Sequence, residues 1–138
     1  MPNLARFIDA QEPIYLTALA ELEAGQKRSH WMWFIFPQLK GLGHSAMAQR
    51  YAIADLAEAK RYLADPVLGS RLRECVAAVL KYPNRSAHEI FGSPDDLKFR
   101  SCLTLFEAAA PNEALFRQAL DVFYEGKGDP RTAELLKS

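Results

Sequence analysis

The chain has 138 residues, of which 49% are hydrophobic, and its 17 Lys and Arg residues are balanced by 17 Asp and Glu residues. A chain of this length is predicted to fold as one domain, residues 1–138, with a core that needs no disulfide or metal to stabilise it. Because the net charge is zero, no overall electric field attracts nucleic acid or an anionic membrane surface, and we expect neither as a partner.

Apolar residues recur at spacings of three and four along most of the chain, which is the pattern of helices with one buried face. Pro and Gly residues divide this pattern into segments. Seven helices are predicted, over residues 4–11, 15–24, 45–63, 67–82, 94–109, 112–126 and 130–136. Ser93 is predicted to cap the fifth of these, since Pro94 suits the first helical position and the two acids that follow suit the positive end of the helix dipole.

The only candidate strand is the aromatic segment, residues 30–36, HWMWFIF. As a strand it would be apolar at nearly every position on both faces, and as a helix it has no polar stripe. In either conformation the surrounding helices must enclose it. The predicted fold class is therefore mostly α, a single compact multi-helix domain with a buried aromatic segment and at most minor β structure.

The cysteines, Cys75 and Cys102, fall within predicted helices without C-x-x-C spacing, and no secretory signal is recognised at the N-terminus. We therefore expect a reduced, cytoplasmic protein. The longest apolar run, residues 31–36, is far shorter than the roughly 20 residues of a membrane-spanning helix, so no membrane association is expected. The histidines and cysteines lack metal-ligand spacing, and we expect neither a metal site nor a cofactor.

Polar residues flank the aromatic segment on both sides. Lys27 and Ser29 precede it, His30 is its first residue, and Gln38 and then Ser45, at the start of a predicted helix, follow it. Cationic side chains beside aromatic rings, together with the free amides of a helix start, favour an anionic or nucleotide-like ligand. The alternative is that the segment is a core element and its flanks are ordinary surface.

A second polar segment, residues 93–104, combines carboxylates, a cation and hydroxyls. Lys98, Ser101 and Thr104 would lie along one side of a helix, next to an apolar stripe. Asp95 or Asp96 could act as a general base or orient a water molecule, and Lys98 could hold an anionic group. A capped surface helix with a solvated face is the alternative reading.

Five motifs together cover almost the whole chain. They are FxxAQ from residue 7, KRSHWMWFIFPQ over 27–38, GLGHSxMAxxYAI over 41–53, DDxKFxSxLTLF over 95–106 and GDxxT over 128–132. In these motifs the sequence resembles the bacterial domain-of-unknown-function 1810 family. The resemblance implies a small, mostly helical, stand-alone bacterial protein without an established activity. The motif positions that it carries over are Lys27, Ser29, His30, Trp31, Trp33, Gln38, Ser45, Tyr51, Asp96, Lys98, Ser101 and Thr104.

Two functions are compatible with these patterns. The first is binding or processing of a nucleotide-like or other anionic small metabolite in a pocket formed by residues 27–45 and 93–104. Its candidate catalytic residues are His30 and Asp96, and its candidate ligand-binding residues are Lys27, Ser29, Trp31, Trp33, Gln38, Ser45, Asp95, Lys98, Ser101 and Thr104. The second is a non-catalytic protein-interaction module whose aromatic segment is plain core. The sequence leaves the ligand, any reaction and the oligomeric state open.

Overall fold

The helical periodicity of the sequence yields an all-helical arrangement of residues 4–137, the part of the chain that this computed structural model describes. Its helices are α1 (Ala5–Gln11), α2 (Tyr15–Glu23), α3 (Met32–Ile35), α4 (Ala46–Arg50), α5 (Leu56–Ala64), α6 (Leu68–Val79), α7 (Ala87–Phe91), α8 (Asp95–Ala109), α9 (Ala114–Tyr124) and α10 (Pro130–Leu136). Within this range no strand forms, and β pairing is limited to an isolated parallel bridge between Leu39 and Ile53. The predicted mostly α fold is confirmed.

Helix α8 lies at the centre of the hydrophobic core. It packs against α5, α7, α9 and α10, while α6 packs against α2, α3, α5 and α9. Phe99 of α8 is fully buried, and its ring centroid lies 4.8 Å from that of Phe36 and 4.6 Å from that of Phe91. Inclined ring pairs of this kind add to the stability gained from burial alone. The core thus fixes the polar residues at the start of α8 relative to the aromatic segment.

The aromatic segment contains one helical turn, α3, instead of a strand. Trp31, Met32, Ile35 and Phe36 are each at most 2% exposed, whereas Trp33 is half-buried. The predicted burial is therefore confirmed for most of the segment. It fails for its first residue, His30, which is exposed.

The helix predicted over residues 45–63 is interrupted. α4 ends at Arg50 and α5 begins at Leu56, because the residues between them bond to another part of the chain. Ile53 N–H donates to the Gln38 carbonyl, and Lys40 N–H donates to the Ile53 carbonyl, both at 2.8 Å. The apolar periodicity continues across the break, so the pattern alone predicted one helix where the protein has two.

Arg6 of α1 holds this break in place. Its Nη2 donates to the Ala52 carbonyl at 2.8 Å and lies 3.1 Å from Glu58 Oε1, and its Nε donates to the Arg50 carbonyl at 3.1 Å. Glu58 is buried and also accepts a hydrogen bond from Ala54 N–H at 2.9 Å. Pairing and hydrogen bonding together offset the cost of burying this carboxylate.

Two helix starts differ from the prediction. Helix α7, which was not predicted, begins with a capping box: Ser86 Oγ accepts from Glu89 N–H at 3.0 Å, and the Glu89 carboxylate accepts from Ser86 N–H at 2.8 Å. Helix α8 has no side-chain cap, so the predicted Ser93 cap is wrong. The Asp96 amide donates instead to the backbone carbonyl of Gly92 at 2.9 Å, which leaves it no need of the hydroxyl.

Both cysteines are free and buried. Burial raises the pKa of the Cys75 thiol to about 12 and the pKa of the Cys102 thiol well above its usual value, so both are neutral. Among residues 4–137, no helix has the length and apolar character needed to cross a membrane. The same residues contain no cluster of three or more His, Cys, Asp or Glu side chains able to hold a metal ion.

Candidate functional site

Glu21, in the last turn of α2, organises the chain that leads into the aromatic segment. Its Oε1 accepts hydrogen bonds from Arg28 N–H at 2.7 Å, Ser29 N–H at 2.9 Å and Trp31 Nε1 at 2.9 Å. The Ser29 hydroxyl donates to the other carboxylate oxygen. Burial opposes ionisation of this carboxyl group, but the hydrogen bonds outweigh burial and lower its pKa to about 2. Glu21 is therefore a carboxylate at neutral pH.

Lys27 and Asp95 bring the two polar segments of the sequence into contact. Lys27 Nζ lies 2.9 Å from Asp95 Oδ2, and Lys98 Nζ lies 3.7 Å from Asp95 Oδ1. Each ammonium group also lies near an aromatic ring, since Lys27 Nζ is 5.0 Å from the ring centroid of Trp31 and Lys98 Nζ is 5.7 Å from that of Trp33. The Lys27 side chain is only 8% exposed, so its ion pair is largely shielded from water.

A pocket of about 240 Å³ opens beside Lys98. We call it the basic pocket, and its lining residues are Gln38, Leu42, Gly43, Pro94, Leu97, Lys98, Ser101, Asp129 and Arg131. They come from three stretches of chain: the loop after α3, the start of α8 and the start of α10. Of the predicted ligand-binding residues, Gln38, Lys98 and Ser101 belong to this lining.

Helix α8 fixes the third wall of the basic pocket through Arg100 and Thr104. The Thr104 hydroxyl donates to the Arg100 carbonyl and accepts from Asp129 N–H, both at 2.8 Å. The Arg100 side chain donates to the carbonyls of Lys127 and Gly128, both at 2.9 Å. The loop before α10 is therefore held in one position, and the Thr104 hydroxyl is engaged in holding it.

Positive charge exceeds negative charge at the basic pocket. Lys98 and Arg131 line it, and Asp129 is the one acidic residue that the described chain contributes to its wall. The Asp129 carboxylate caps α10 and accepts hydrogen bonds from the Thr132 N–H at 2.9 Å and the Thr132 hydroxyl at 2.5 Å. Arg131 forms no ion pair with any residue from 4 to 137, so its charge is available to a ligand.

Several predicted site residues have other partners. Ser45 is exposed and caps α4 by accepting from Ala48 N–H at 3.1 Å. Ser29 is bound to Glu21, and Trp31 lies in the core with its Nε1 on the same carboxylate. Ser101 lines the basic pocket, although its hydroxyl donates to a backbone carbonyl of its own helix.

The two candidate catalytic residues form no hydrogen bond or ion pair with each other. His30 is exposed and makes no hydrogen bond or ion pair within the described part of the chain. Asp96 Oδ2 lies 3.6 Å from Nδ1 of His88, a residue of α7. Neither candidate is among the residues that line the basic pocket. The arrangement can bind a charged group, and it offers no pair of these residues for proton transfer.

The site residues predicted from the sequence do not include Glu21, Asp129 or Arg131. The Asp-Pro pair at 129–130 did indicate a helix start, and the structure confirms a cap there, but nothing in the spacing places that cap beside α8. Glu21 differs little in the sequence from Glu23, which is exposed and pairs with Lys81. Only the folded chain distinguishes these two acids.

Residues 1–136 match the model of a protein family of unknown function, DUF1810. The structure is similar to the crystal structure, at 1.38 Å, of the conserved hypothetical protein Rv1873 from Mycobacterium tuberculosis. The TM-score is 0.97 and the sequence identity 49%, over 99% of this chain and 98% of that one. No curated protein is significantly similar to the chain. Neither the family description nor that of the bacterial relative assigns an activity.

Proposed function

The chain belongs to the DUF1810 family of proteins of unknown function, and we propose that it binds a nucleotide-like or other anionic small metabolite in the basic pocket. The observation that supports this most strongly is the presence of two cations, Lys98 and Arg131, at one concave site. Asp129, the carboxylate in the lining, already accepts two hydrogen bonds from Thr132. Asp95, which lies 3.7 Å from Lys98, is shared with Lys27, so the two carboxylates neutralise the cations only in part. An anionic group is the complement of such a site.

The remaining walls suit a ligand that also has an apolar portion. Leu97 is 57% exposed at the edge of the basic pocket, and Leu42 and Pro94 line it as well. The Gln38 side chain makes no hydrogen bond to other residues in the range 4–137, so its amide can both donate to a ligand and accept from it. A sugar or base attached to a phosphate or carboxylate would match this mixture of groups.

Thermal unfolding in the presence of phosphate, nucleotides and sugar phosphates tests the proposal. A ligand at 100 times its dissociation constant stabilises the folded state by about 2.7 kcal/mol, which should raise the melting temperature by several degrees. Lys98→Gln and Arg131→Gln should each weaken the effect. Lys60→Gln is the matched control, because Lys60 is an exposed lysine of α5 outside the basic pocket.

Two results would contradict anion binding in the basic pocket. One is the absence of a shift with every anion. The other is a shift that Lys98→Gln and Arg131→Gln leave as large as in the wild type, which would place the anion elsewhere on the surface. A shift reduced equally by Lys60→Gln would reveal a general effect of net charge and would count against the pocket in the same way.

The second candidate function is a non-catalytic protein-interaction module. It is favoured by the burial of most of the aromatic segment and by exposed large side chains such as Leu16, which is 79% exposed on α2. In this case no small anion protects the protein against heat. The same thermal experiment therefore separates the two functions.

A further inference from the structure

A second pocket is lined by the same loop that forms one wall of the basic pocket. We call it the loop pocket; its volume is about 420 Å³, and it is lined by Lys40, Gly41, Gly43, His44, Gln49 and Ala52. Gly43 lines both pockets. The two cavities therefore adjoin at this residue.

The loop between the two pockets is held by close packing. A β-carbon on Gly43 would lie 2.5 Å from the β-carbon of Ala48, so α4 approaches this loop more closely than any other residue would permit. Gln49 Nε2 also donates to the His44 carbonyl at 2.9 Å, which ties α4 to the end of the loop. The shared wall is therefore formed before any ligand arrives, and ligand binding does not have to order it.

The loop pocket has the same sign of charge as the basic pocket. Lys40 and His44 are exposed, and neither forms an ion pair with any other residue in the described chain. No Asp or Glu of that chain is among its lining residues. Cations thus line both pockets that share Gly43, with Lys98 and Arg131 in one pocket and Lys40 in the other.

The volumes of the two pockets favour a ligand that spans both over a ligand confined to one. The basic pocket, at about 240 Å³, is smaller than the roughly 300–1,000 Å³ of typical small-molecule sites. It would hold one phosphate or carboxylate with a short attachment. The loop pocket supplies further volume, and a separate positive charge on Lys40, for a metabolite-sized ligand.

We propose that the ligand is an elongated metabolite with two separate anionic groups, which crosses Gly43 with one group at Lys98 and Arg131 and the other at Lys40. The inference rests on the proposed function and extends it from one anionic group to two. The chemical class is a metabolite with a phosphate or carboxylate at each end and a polar, uncharged middle section.

Fructose 6-phosphate and fructose 1,6-bisphosphate are suitable probes, because they differ in the second phosphate alone. Their dissociation constants are measured by calorimetric titration with wild-type, Lys40→Gln, Lys98→Gln and Lys60→Gln proteins. The bisphosphate should bind wild type about tenfold more tightly than the monophosphate, as one additional charge-assisted contact implies. Lys40→Gln should remove this advantage without changing monophosphate binding. Lys98→Gln should weaken the binding of both sugars. Lys40→Arg, which keeps the charge, should restore the advantage.

The outcomes distinguish the inference from the proposed function. Suppose that Lys98→Gln weakens the binding of both sugars, but the bisphosphate binds wild type no more tightly than the monophosphate, or keeps its tighter binding in Lys40→Gln. The spanning ligand is then refuted, and anion binding in the basic pocket is supported. If Lys60→Gln removes the advantage as fully as Lys40→Gln, it arises from net charge and the inference is again refuted. If neither sugar binds, and no other anion protects the protein, the proposed function is refuted together with the inference.

Discussion

Replacing Glu21 with Gln tests whether charge or shape holds the chain before the aromatic segment. Glutamine keeps an oxygen that can accept from Arg28 N–H, Ser29 N–H and Trp31 Nε1, as Glu21 Oε1 does. The Ser29 hydroxyl can rotate to accept from the new amide. The substitution therefore removes the negative charge with little change in volume, and the loss of stability measures the charged part of these hydrogen bonds.

The expected loss follows from the pKa of Glu21, which falls from 4.5 to about 2 in the folded protein. Each unit corresponds to about 1.4 kcal/mol, so the full shift would be worth roughly 3 kcal/mol. Because the carboxylate is only partly buried, water screens it and the net contribution is smaller. We expect Glu21→Gln to lower the free energy of unfolding by about 1–2 kcal/mol at neutral pH.

Urea unfolding of both proteins between neutral pH and about pH 3 measures this contribution. A carboxyl group whose pKa is lowered by folding stabilises the protein above its unfolded pKa and loses that effect as the pH falls toward its folded pKa. The difference between wild type and Glu21→Gln should thus be constant above about pH 5, narrow below 4.5 and continue to narrow toward 2.

Glu23→Gln, two residues along the same helix, is the matched control. Glu23 is exposed and paired with Lys81 on the surface, so this substitution should cost less than about 1 kcal/mol. If the deficit of Glu21→Gln were the same at pH 3 as at neutral pH, the charge would not be its cause. A deficit no larger than that of Glu23→Gln would equally refute the reasoning.

Three further predictions concern stability and are measured by urea unfolding. Trp31→Ala should lower the free energy of unfolding by about 3–5 kcal/mol because the ring is fully buried, and Trp33→Ala by roughly half as much because its ring is half-buried. Equal losses would contradict this difference in burial. Thr104→Val should cost about 1–2 kcal/mol and speed hydrogen exchange of the Asp129 backbone amide, since that amide loses its acceptor. An unchanged exchange rate would contradict the hydrogen bond. Ser86→Ala should cost about 1 kcal/mol and Ser93→Ala almost nothing, because Ser86 caps a helix and Ser93 does not. A larger loss for Ser93→Ala than for Ser86→Ala would contradict this.

A helix was predicted correctly where the apolar periodicity and the residues that begin and end helices indicate the same boundaries. The region from 94 to 109 shows this agreement, since most of its apolar positions face the core and Pro111 lies just beyond its end. The region from 45 to 63 does not, because Ile53 fits the helical pattern but pairs its backbone with Gln38 and Lys40. Arg6 binds the carbonyl of Ala52 in the same break, although the two residues are 46 positions apart in the sequence. A periodic pattern contains no information about such a distant partner.

The candidate site was predictable in the same limited sense. Lys27 and Asp95 were both selected from residue type, and they do meet, because Lys27 N–H also bonds to the Ile90 carbonyl, just before the turn that leads into α8. His30 was selected for the same reason and is exposed, because Glu21 holds the residues on either side of it, Ser29 and Trp31. Residue type indicates which groups can bind an anion, but the acceptors that fix the backbone decide which of them line a pocket. For this chain those acceptors are Glu21 and Thr104, and neither is among the residues that line the basic pocket.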